Sequence, residues 1–300
     1  MRVISLTEAR PVPRSLAVGT FDGVHVGHRD VIRSAASVVT FEPHPSSVVG
    51  PQRAPLLLTP LAVKADLIAS LGVEELIVVR FDEAFAALGA QQFIDRVIVD
   101  ALGAREVSIG ENFRFGARAL GDAGLLVADG RFAARVVPLR EMDGEVVSSS
   151  RIRSLIALGD VAAAARLLGD PFELRGIVVS GDRRGRELGF PTANVDPQPG
   201  LCHPGHGVYA ALANGVPAAV NIGVRPTFGS GRAELIEAFL IDWEGDLYGH
   251  ELRLRFLERL RGERRFESAQ ALIEAMHDDV ARARAICASA TVRRPDDPDE

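Results

Sequence analysis

Gly19-Thr20-Phe21-Asp22-Gly23-Val24-His25-Val26-Gly27-His28 is the stretch on which the fold of the first half turns. It follows a β-rich run at 15–19 and opens a helix-period segment. In an open α/β sheet, ligands bind beyond the carboxyl ends of the strands, where a helix N-terminus offers unpaired N–H groups and a positive dipole end to phosphate. His25 and His28 are three apart and share one face of the first helical turn. Gly27 between them removes a side chain where a nucleotide would pass close to the backbone. Two imidazoles aimed at one phosphate can stabilise charge developing on an α-phosphate while pyrophosphate leaves. Taken alone, the pair is equally a helix cap or a chance metal pair, so its context has to decide.

Outward from this stretch, β-rich runs at 15–19, 38–41, 75–79 and 106–110 alternate with helix-period segments. That alternation predicts an α/β domain with a parallel sheet. In one crossover Thr59 is placed to N-cap a helix and Pro60 to fill its first position; Leu61, Leu67, Ile68 and Leu71 share a face, and Gly72 ends it. Segment 91–102 repeats the pattern with Phe93, Ile94, Val97 and Ile98. Two short helices are predicted at 151–158 and 161–168, after which Gly169-Asp170-Pro171 breaks the periodicity. The predicted domains are therefore 1–170 and 171–290. From Phe172 onward, strands are separated by Gly, Pro and Asn clusters with no intervening amphipathic helix, the pattern of an antiparallel β-barrel. A closing helix carries Phe266, Leu272, Ile273, Met276 and Val280 at helical spacing. The end of the chain, 291–300, is rich in Asp, Arg and Pro with nothing to bury and reads as a disordered tail.

A second stretch, Gly181-Asp182-Arg183-Arg184-Gly185-Arg186-Glu187-Leu188-Gly189-Phe190-Pro191-Thr192-Ala193-Asn194, joins a glycine-punctuated basic loop to a short extended segment. Gly181, Gly185, Arg186 and Gly189 suit a loop that wraps phosphates, although such a turn in isolation is more often a hairpin connection. If 192–194 is extended, Thr192 and Asn194 point the same way, and a hydroxyl and an amide oxygen can together coordinate a hard cation such as Mg²⁺ on ATP phosphates. It is not a Walker loop, since the Gly-Lys-Ser or Gly-Lys-Thr ending is absent.

The chain of 300 residues, 47% hydrophobic and 25% charged, is long enough for two cores. Forty acidic against 34 basic residues give a net charge of -6, so no overall field draws a nucleic-acid partner. No apolar run is long enough to span a bilayer, and residues 1–14 lack the apolar core of a signal peptide. Cys202 and Cys287, few and far apart, read as reduced thiols of a cytoplasmic protein. The sequence leaves the oligomeric state open.

The first stretch resembles the signature of the nucleotidylyltransferase superfamily, in the form typical of bacterial bifunctional riboflavin kinase and FAD synthetase. Phe41-Glu42-Pro43-His44-Pro45, Phe81-Asp82, Gly110-Glu111-Asn112-Phe113-Arg114-Phe115-Gly116 and Ser148-Ser149-Ser150-Arg151-Ile152-Arg153 are similar to further stretches of that family. The second stretch resembles the riboflavin kinase signature. Gly207-Val208-Tyr209-Ala210, Asn221-Ile222-Gly223-Val224-Arg225-Pro226-Thr227-Phe228 and Asp246-Leu247-Tyr248-Gly249 follow in family order. The sequence departs from the pattern at Val146, where a basic residue is common, at Ser150, where Thr is usual, and in a short spacing between His28 and Phe41.

The resemblance implies a Rossmann-like nucleotidylyltransferase domain followed by a riboflavin kinase barrel, with riboflavin, FMN and ATP as substrates and Mg²⁺ as cofactor. For the first domain it implies nucleotide binding by Gly19, Phe21, Asp22, Gly23, Gly27, Asn112, Ser148, Ser149, Ser150 and Arg153, with His25 and His28 catalytic. For the second it implies Glu237 as the catalytic acceptor of riboflavin's hydroxyl proton. Arg225 and Thr227 either border that site or hold a loop. Two other readings stand beside the bifunctional enzyme: a kinase whose first domain is weakened, and a non-catalytic flavin-binding regulator.

Overall fold

Strands β1 (Arg2–Ser5), β2 (Arg14–Val18), β3 (Ser37–Glu42), β4 (Glu75–Arg80), β5 (Ala104–Gly110) and β6 (Ala133–Val137) form one sheet in the order β1-β4-β3-β2-β5-β6, with every pair parallel. The computed structural model describes residues 1–180, 190–226 and 232–292. It divides into two units, Met1–Ser149 and Ser150–Glu300.

In the first unit the chain steps outward from β2 through β3 to β4, then returns to place β5 on the opposite flank of β2. The strand order reverses at β2, so the crevice beyond the carboxyl ends of β2 and β5 is the switch point where such sheets bind ligands. The helices are α1 (Val26–Ile32), α2 (Pro45–Val49), α3 (Leu61–Ala69), α4 (Glu83–Ala86), α5 (Ala90–Phe93) and α6 (Ala123–Asp129). Strands β7 (Glu141–Met142) and β8 (Glu145–Val146) make a small hairpin.

Because side chains alternate along a strand, the sheet has two cores. Ala17, Val38 and Leu76 pack with Val31, Ile32 and Ile68 of α1 and α3. Leu16, Val18, Val39, Ile77, Val79, Val107 and Ile109 pack on the other face with Phe93, Ile94, Val97 and Ile98. At the amino ends of the strands Glu75, only 4% exposed, accepts from Arg14 Nε and Arg2 Nη2, both at 2.9 Å. Arg14 also donates to the carbonyl of Leu102 at 2.9 Å, tying β2, β4 and the approach to β5 together.

The structure revises several local expectations. Strands β1 and β6 lie at the sheet edges, where Arg2, Val3 and Ala133 face solvent, so neither carries the unbroken apolar run of a central parallel strand. Thr59 does not cap α3. The N-cap is Pro60, without a side-chain bond, and Thr59 is drawn into the loop after β2 instead. Segment 91–102 is helical but widens to a π-helix over Ile94–Ala101.

The second unit opens within α7 (Ser149–Leu158), whose first residue belongs to the first unit, and continues into α8 (Val161–Leu168), capped by Asp160, whose Oδ1 accepts from Ala163 N at 3.0 Å. Helix α8 buries Val161, Ala164, Leu167 and Leu168. Six strands then close an antiparallel barrel in the order β10-β13-β12-β11-β14-β9. They are β9 (Phe172–Val179), β10 (Ala193–Pro197), β11 (Gly207–Ala213), β12 (Val216–Pro226), β13 (Arg232–Leu240) and β14 (Glu251–Arg261). A two-residue Asn214-Gly215 turn joins β11 to β12.

Helix α9 (Ala269–Val292) covers the barrel, with Val280, Ala283 and Ile286 packed against Val208, Ala210, Ala219 and Leu260. Its buried stripe is Ala275, Asp279, Ala283 and Cys287, four apart, and not the row of large residues expected. Small side chains let the helix lie close to the strands. Asp279 is paired with Arg261 at 2.8 Å, and Cys287 Sγ donates to Ala211 O at 3.3 Å. Phe266 precedes the helix, under the guanidinium groups of Arg261 and Arg264. Residues 293–300 of the predicted tail lie outside the described residues.

Candidate active sites

In the first unit the loop 19–25 leaves β2 at the switch point and ends at α1. His25 caps the helix: its Nδ1 accepts from the backbone N–H of His28 at 3.2 Å, so its proton resides on Nε2. The His25 and His28 rings stack with centroids 3.5 Å apart and 18° between planes, and Phe21 meets His28 edge-on at 5.4 Å. A Cβ on Gly19 would stand 2.9 Å from the Phe21 ring, and one on Gly27 would stand 3.3 Å from the His25 ring. Both glycines therefore leave room for the aromatic rings that shape the loop. Phe21 and Val24 hold φ of 49° and 42°, the kind of backbone strain that tertiary structure sustains at functional loops.

Asp22, 2% exposed, acts from behind. Its Oδ1 accepts from Leu58 N and Thr59 N, both at 3.0 Å, while Thr59 Oγ1 accepts from Gly23 N at 3.0 Å. Ser149 Oγ donates to the Asp22 carbonyl at 2.9 Å, anchoring the serine motif to the same loop. Asn112 lies exposed just beyond the carboxyl end of β5, the strand beside β2. Ser148 ends the stretch before α7, whereas Ser150 and Arg153 are on α7 in the second unit.

Burial governs the electrostatics here. It pushes His25 down to about 4, against the opposing pull of Asp22. Burial also holds His28 well below the ordinary histidine value, aided by His25 and by Lys64. Both imidazoles are thus neutral at pH 7 and serve as hydrogen-bond donors rather than cations. His28 Nδ1 is buried with no hydrogen-bond partner, a polar atom left for a ligand to satisfy. Lys64, on α3 and 4% exposed, is a residue the sequence reading missed. The signal was available, because Lys64 falls on the same helical stripe as Leu61, Ile68 and Leu71.

In the second unit the barrel brings three polar residues into one row. Asn194 of β10 is the direct cross-strand partner of Glu237 on β13, and Asn221 of β12 is the partner of Glu237 on its other side. Directly opposed residues project from the same sheet face. Ile236 and Ala238 are buried inside the barrel, so half-buried Glu237 lies on its outer face. Thr192 stands immediately before β10. Asn194 Oδ1 is buried and has no hydrogen-bond partner.

An unpaired buried amide oxygen and a nearby hydroxyl fit a hard cation that keeps water and phosphate ligands. Among the described residues no group of three or more His, Cys, Asp or Glu could hold a metal by itself. A cavity of about 350 Å³ is lined by Thr192, Val178, Leu240, Trp243 and Tyr248, and Asn194, Glu237 and Asn221 are not part of its wall. Gly181, Gly185, Arg186, Gly189 and Thr227 lie outside the described residues. Arg225 is in β12. Asn221 as the second neighbour of Glu237 was not read from the sequence, since it depends on barrel register.

Comparison with known proteins adds to this geometry. A family model described as FAD synthetase matches residues 8–151, and one described as riboflavin kinase matches 168–287. The chain is 39% identical to the bifunctional riboflavin kinase/FMN adenylyltransferase of Bacillus subtilis, over 89% of this chain and 90% of the relative. It is 37% identical to that of Pseudomonas fluorescens, over 97% and 99%. A solved structure from Streptococcus pneumoniae, described as a macrolide-efflux protein, superposes with a TM-score of 0.86 at 30% identity, over 94% of this chain and 98% of that one. No helix among the described residues is long and apolar enough to cross a membrane.

Proposed function

Because the chain belongs to the bifunctional riboflavin kinase/FMN adenylyltransferase family, we propose that it phosphorylates riboflavin in its second unit and adenylates FMN in its first, and that the residues gathered above divide the work as follows.

In the second unit Glu237 accepts the proton of riboflavin's terminal hydroxyl as that hydroxyl's oxygen attacks the γ-phosphorus of ATP, and the bond from this phosphorus to the β–γ bridging oxygen breaks, its electron pair leaving with ADP. Thr192 and Asn194 hold Mg²⁺, which when bound neutralises charge on the ATP phosphates. Gly181, Gly185, Arg186 and Gly189 are assigned to the phosphates on their sequence pattern. The observation that carries this reading is the buried, unsatisfied Oδ1 of Asn194 directly across the ladder from Glu237. Leaving such an acceptor unpaired costs stability, and a ligand recovers it.

In the first unit ATP lies at the β2/β5 switch point, with the glycine loop, Ser148 and Ser149 toward its phosphates and Asn112 as a polar contact. His25 and His28 donate N–H bonds to the α-phosphate as FMN phosphate attacks and pyrophosphate departs. Gly19, Phe21, Asp22, Gly23 and Gly27 shape the loop that presents them. Ser148 and Ser149 complete the contacts from this unit, while Ser150 and Arg153 are assigned to phosphate on their sequence pattern. Two cysteines outside any disulfide suit a cytoplasmic enzyme.

Purified protein incubated with ATP and Mg²⁺ is given riboflavin in one tube and FMN in another, and products are separated by chromatography. FAD in both tubes is expected. FMN accumulating without FAD would establish a kinase alone, and no product from either would leave only flavin binding.

A further inference from the structure

Lys64 is a buried ammonium with no ion-pair partner among the described residues. Its Nζ has one hydrogen bond, a long one of 3.4 Å to Thr40 Oγ1, and it forms no ion pair with any described residue. Thr40, itself fully buried on β3, has already committed its hydroxyl proton to the carbonyl of Thr20 at 3.0 Å, so it offers Lys64 only a lone pair. Two of the three ammonium donors therefore have no acceptor among the described residues. The nearby carboxylate of Asp22 is taken up by the backbone of Leu58 and Thr59. A lysine so placed costs stability unless something restores its lost hydration.

Its position says what that is. Lys64 is close enough to His28 to depress the imidazole's proton affinity, while Asp22 and Glu42 oppose the effect of burial on Lys64 itself. The neutral His25 and His28 can donate hydrogen bonds but bring no charge, whereas adenylyl transfer gathers negative charge. An anion within a few ångströms favours the charged ammonium, so binding would hold the proton on Lys64.

We propose that Lys64 is the cationic residue of the adenylyl-transfer site, contacting a phosphate oxygen of ATP and of the departing pyrophosphate. This rests on the adenylyl-transfer reading of the first unit. The bond formed joins an FMN phosphate oxygen to the α-phosphorus of ATP. The bond broken links that phosphorus to the oxygen bridging to the β-phosphate, and its electron pair leaves with pyrophosphate. Lys64 keeps its proton throughout and supplies charge alone.

Full-length K64M and K64Q are compared with the wild type in FAD formation from FMN, in calorimetric titration with inorganic pyrophosphate, and in thermal melting. FAD formation should fall about 100-fold and pyrophosphate affinity about tenfold, while the melting temperature holds or rises and riboflavin phosphorylation stays within roughly twofold. Variants that make FAD and bind pyrophosphate like the wild type would overturn the proposal. So would variants that lose thermal stability and both activities together, since that is the signature of a structural lysine. A wild type that makes no FAD, yet whose pyrophosphate binding K64Q still weakens, would retire the adenylyl-transfer reading and keep the anion site.

Discussion

The imidazoles of His25 and His28 lie stacked, 3.5 Å between centroids, with His25 Nδ1 accepting the backbone N–H of His28. The stack requires a neutral His25, because protonating its Nδ1 would abolish the cap and set a buried cation against the face of the His28 ring.

Acid should therefore destabilise the first unit. With its folded value near 4 and an ordinary value of 6.5, His25 takes up a proton in the unfolded state first. Stability is intact above about pH 6.5, falls as the pH drops toward 4, and levels off below it, a loss of about 3 kcal/mol. Urea unfolding of wild type and His25→Asn at pH 7 and pH 4.5 checks this: the variant should show the smaller loss on acidification.

Removing the second ring should affect one reaction alone. His28→Ala is expected to lower FAD formation from FMN by about 100-fold or more, as loss of a transition-state hydrogen-bond donor does. Steady-state kinetics with FMN and with riboflavin should show the phosphorylation rate unchanged; an unaltered FAD rate would place the site elsewhere.

Glu237→Gln keeps the shape of the row Asn194, Glu237, Asn221 and removes the proton acceptor. Riboflavin phosphorylation should fall by about 10² to 10⁴-fold, with FMN adenylation as the control in the same sample. A folded variant that phosphorylates at the wild-type rate would relieve Glu237 of this role.

Asn194→Ala deletes an acceptor that has no partner in the protein. The melting temperature should hardly move, because no internal hydrogen bond is lost, while the Mg²⁺ concentration for half-maximal kinase activity rises about tenfold or more. Titration of activity with Mg²⁺ at fixed ATP reads the shift. An unchanged Mg²⁺ requirement would remove Asn194 from the metal site.

Arg14→Leu strands a buried carboxylate. Glu75 would keep a long hydrogen bond from Ser37 and the ion pair with Arg2, whose side chain is largely exposed, and the first unit should lose about 3–5 kcal/mol in chemical unfolding. The double variant Arg14→Leu, Glu75→Leu should recover much of that loss, since it leaves no buried charge unpaired.

Much of the architecture was legible in the order of residues because hydrophobic period and punctuation are local. Val38 and Val39, buried on opposite faces, sit in the continuous apolar run of a strand covered on both sides, and Asn214-Gly215 marks a tight hairpin. What failed was also local in cause. The edge strands β1 and β6 are too exposed to carry an apolar run, and Thr59, a good cap by type, bonds instead with Asp22 and Gly23. Lys64 passed unnoticed because a helical stripe shows that a residue faces inward and not what it meets there.

Sequence by itself determined the two-part α/β and β-barrel plan, the family, and the residue types of each site, all of which depend on near neighbours and chain order. Only the tertiary structure decided that Glu237 lies between Asn194 and Asn221, that His25 and His28 are buried and neutral, and that Lys64 is buried near them with one hydrogen bond among the described residues. Those facts follow from barrel register, burial and sheet closure, which bring together groups tens of residues apart and exclude the water that would otherwise set their charge.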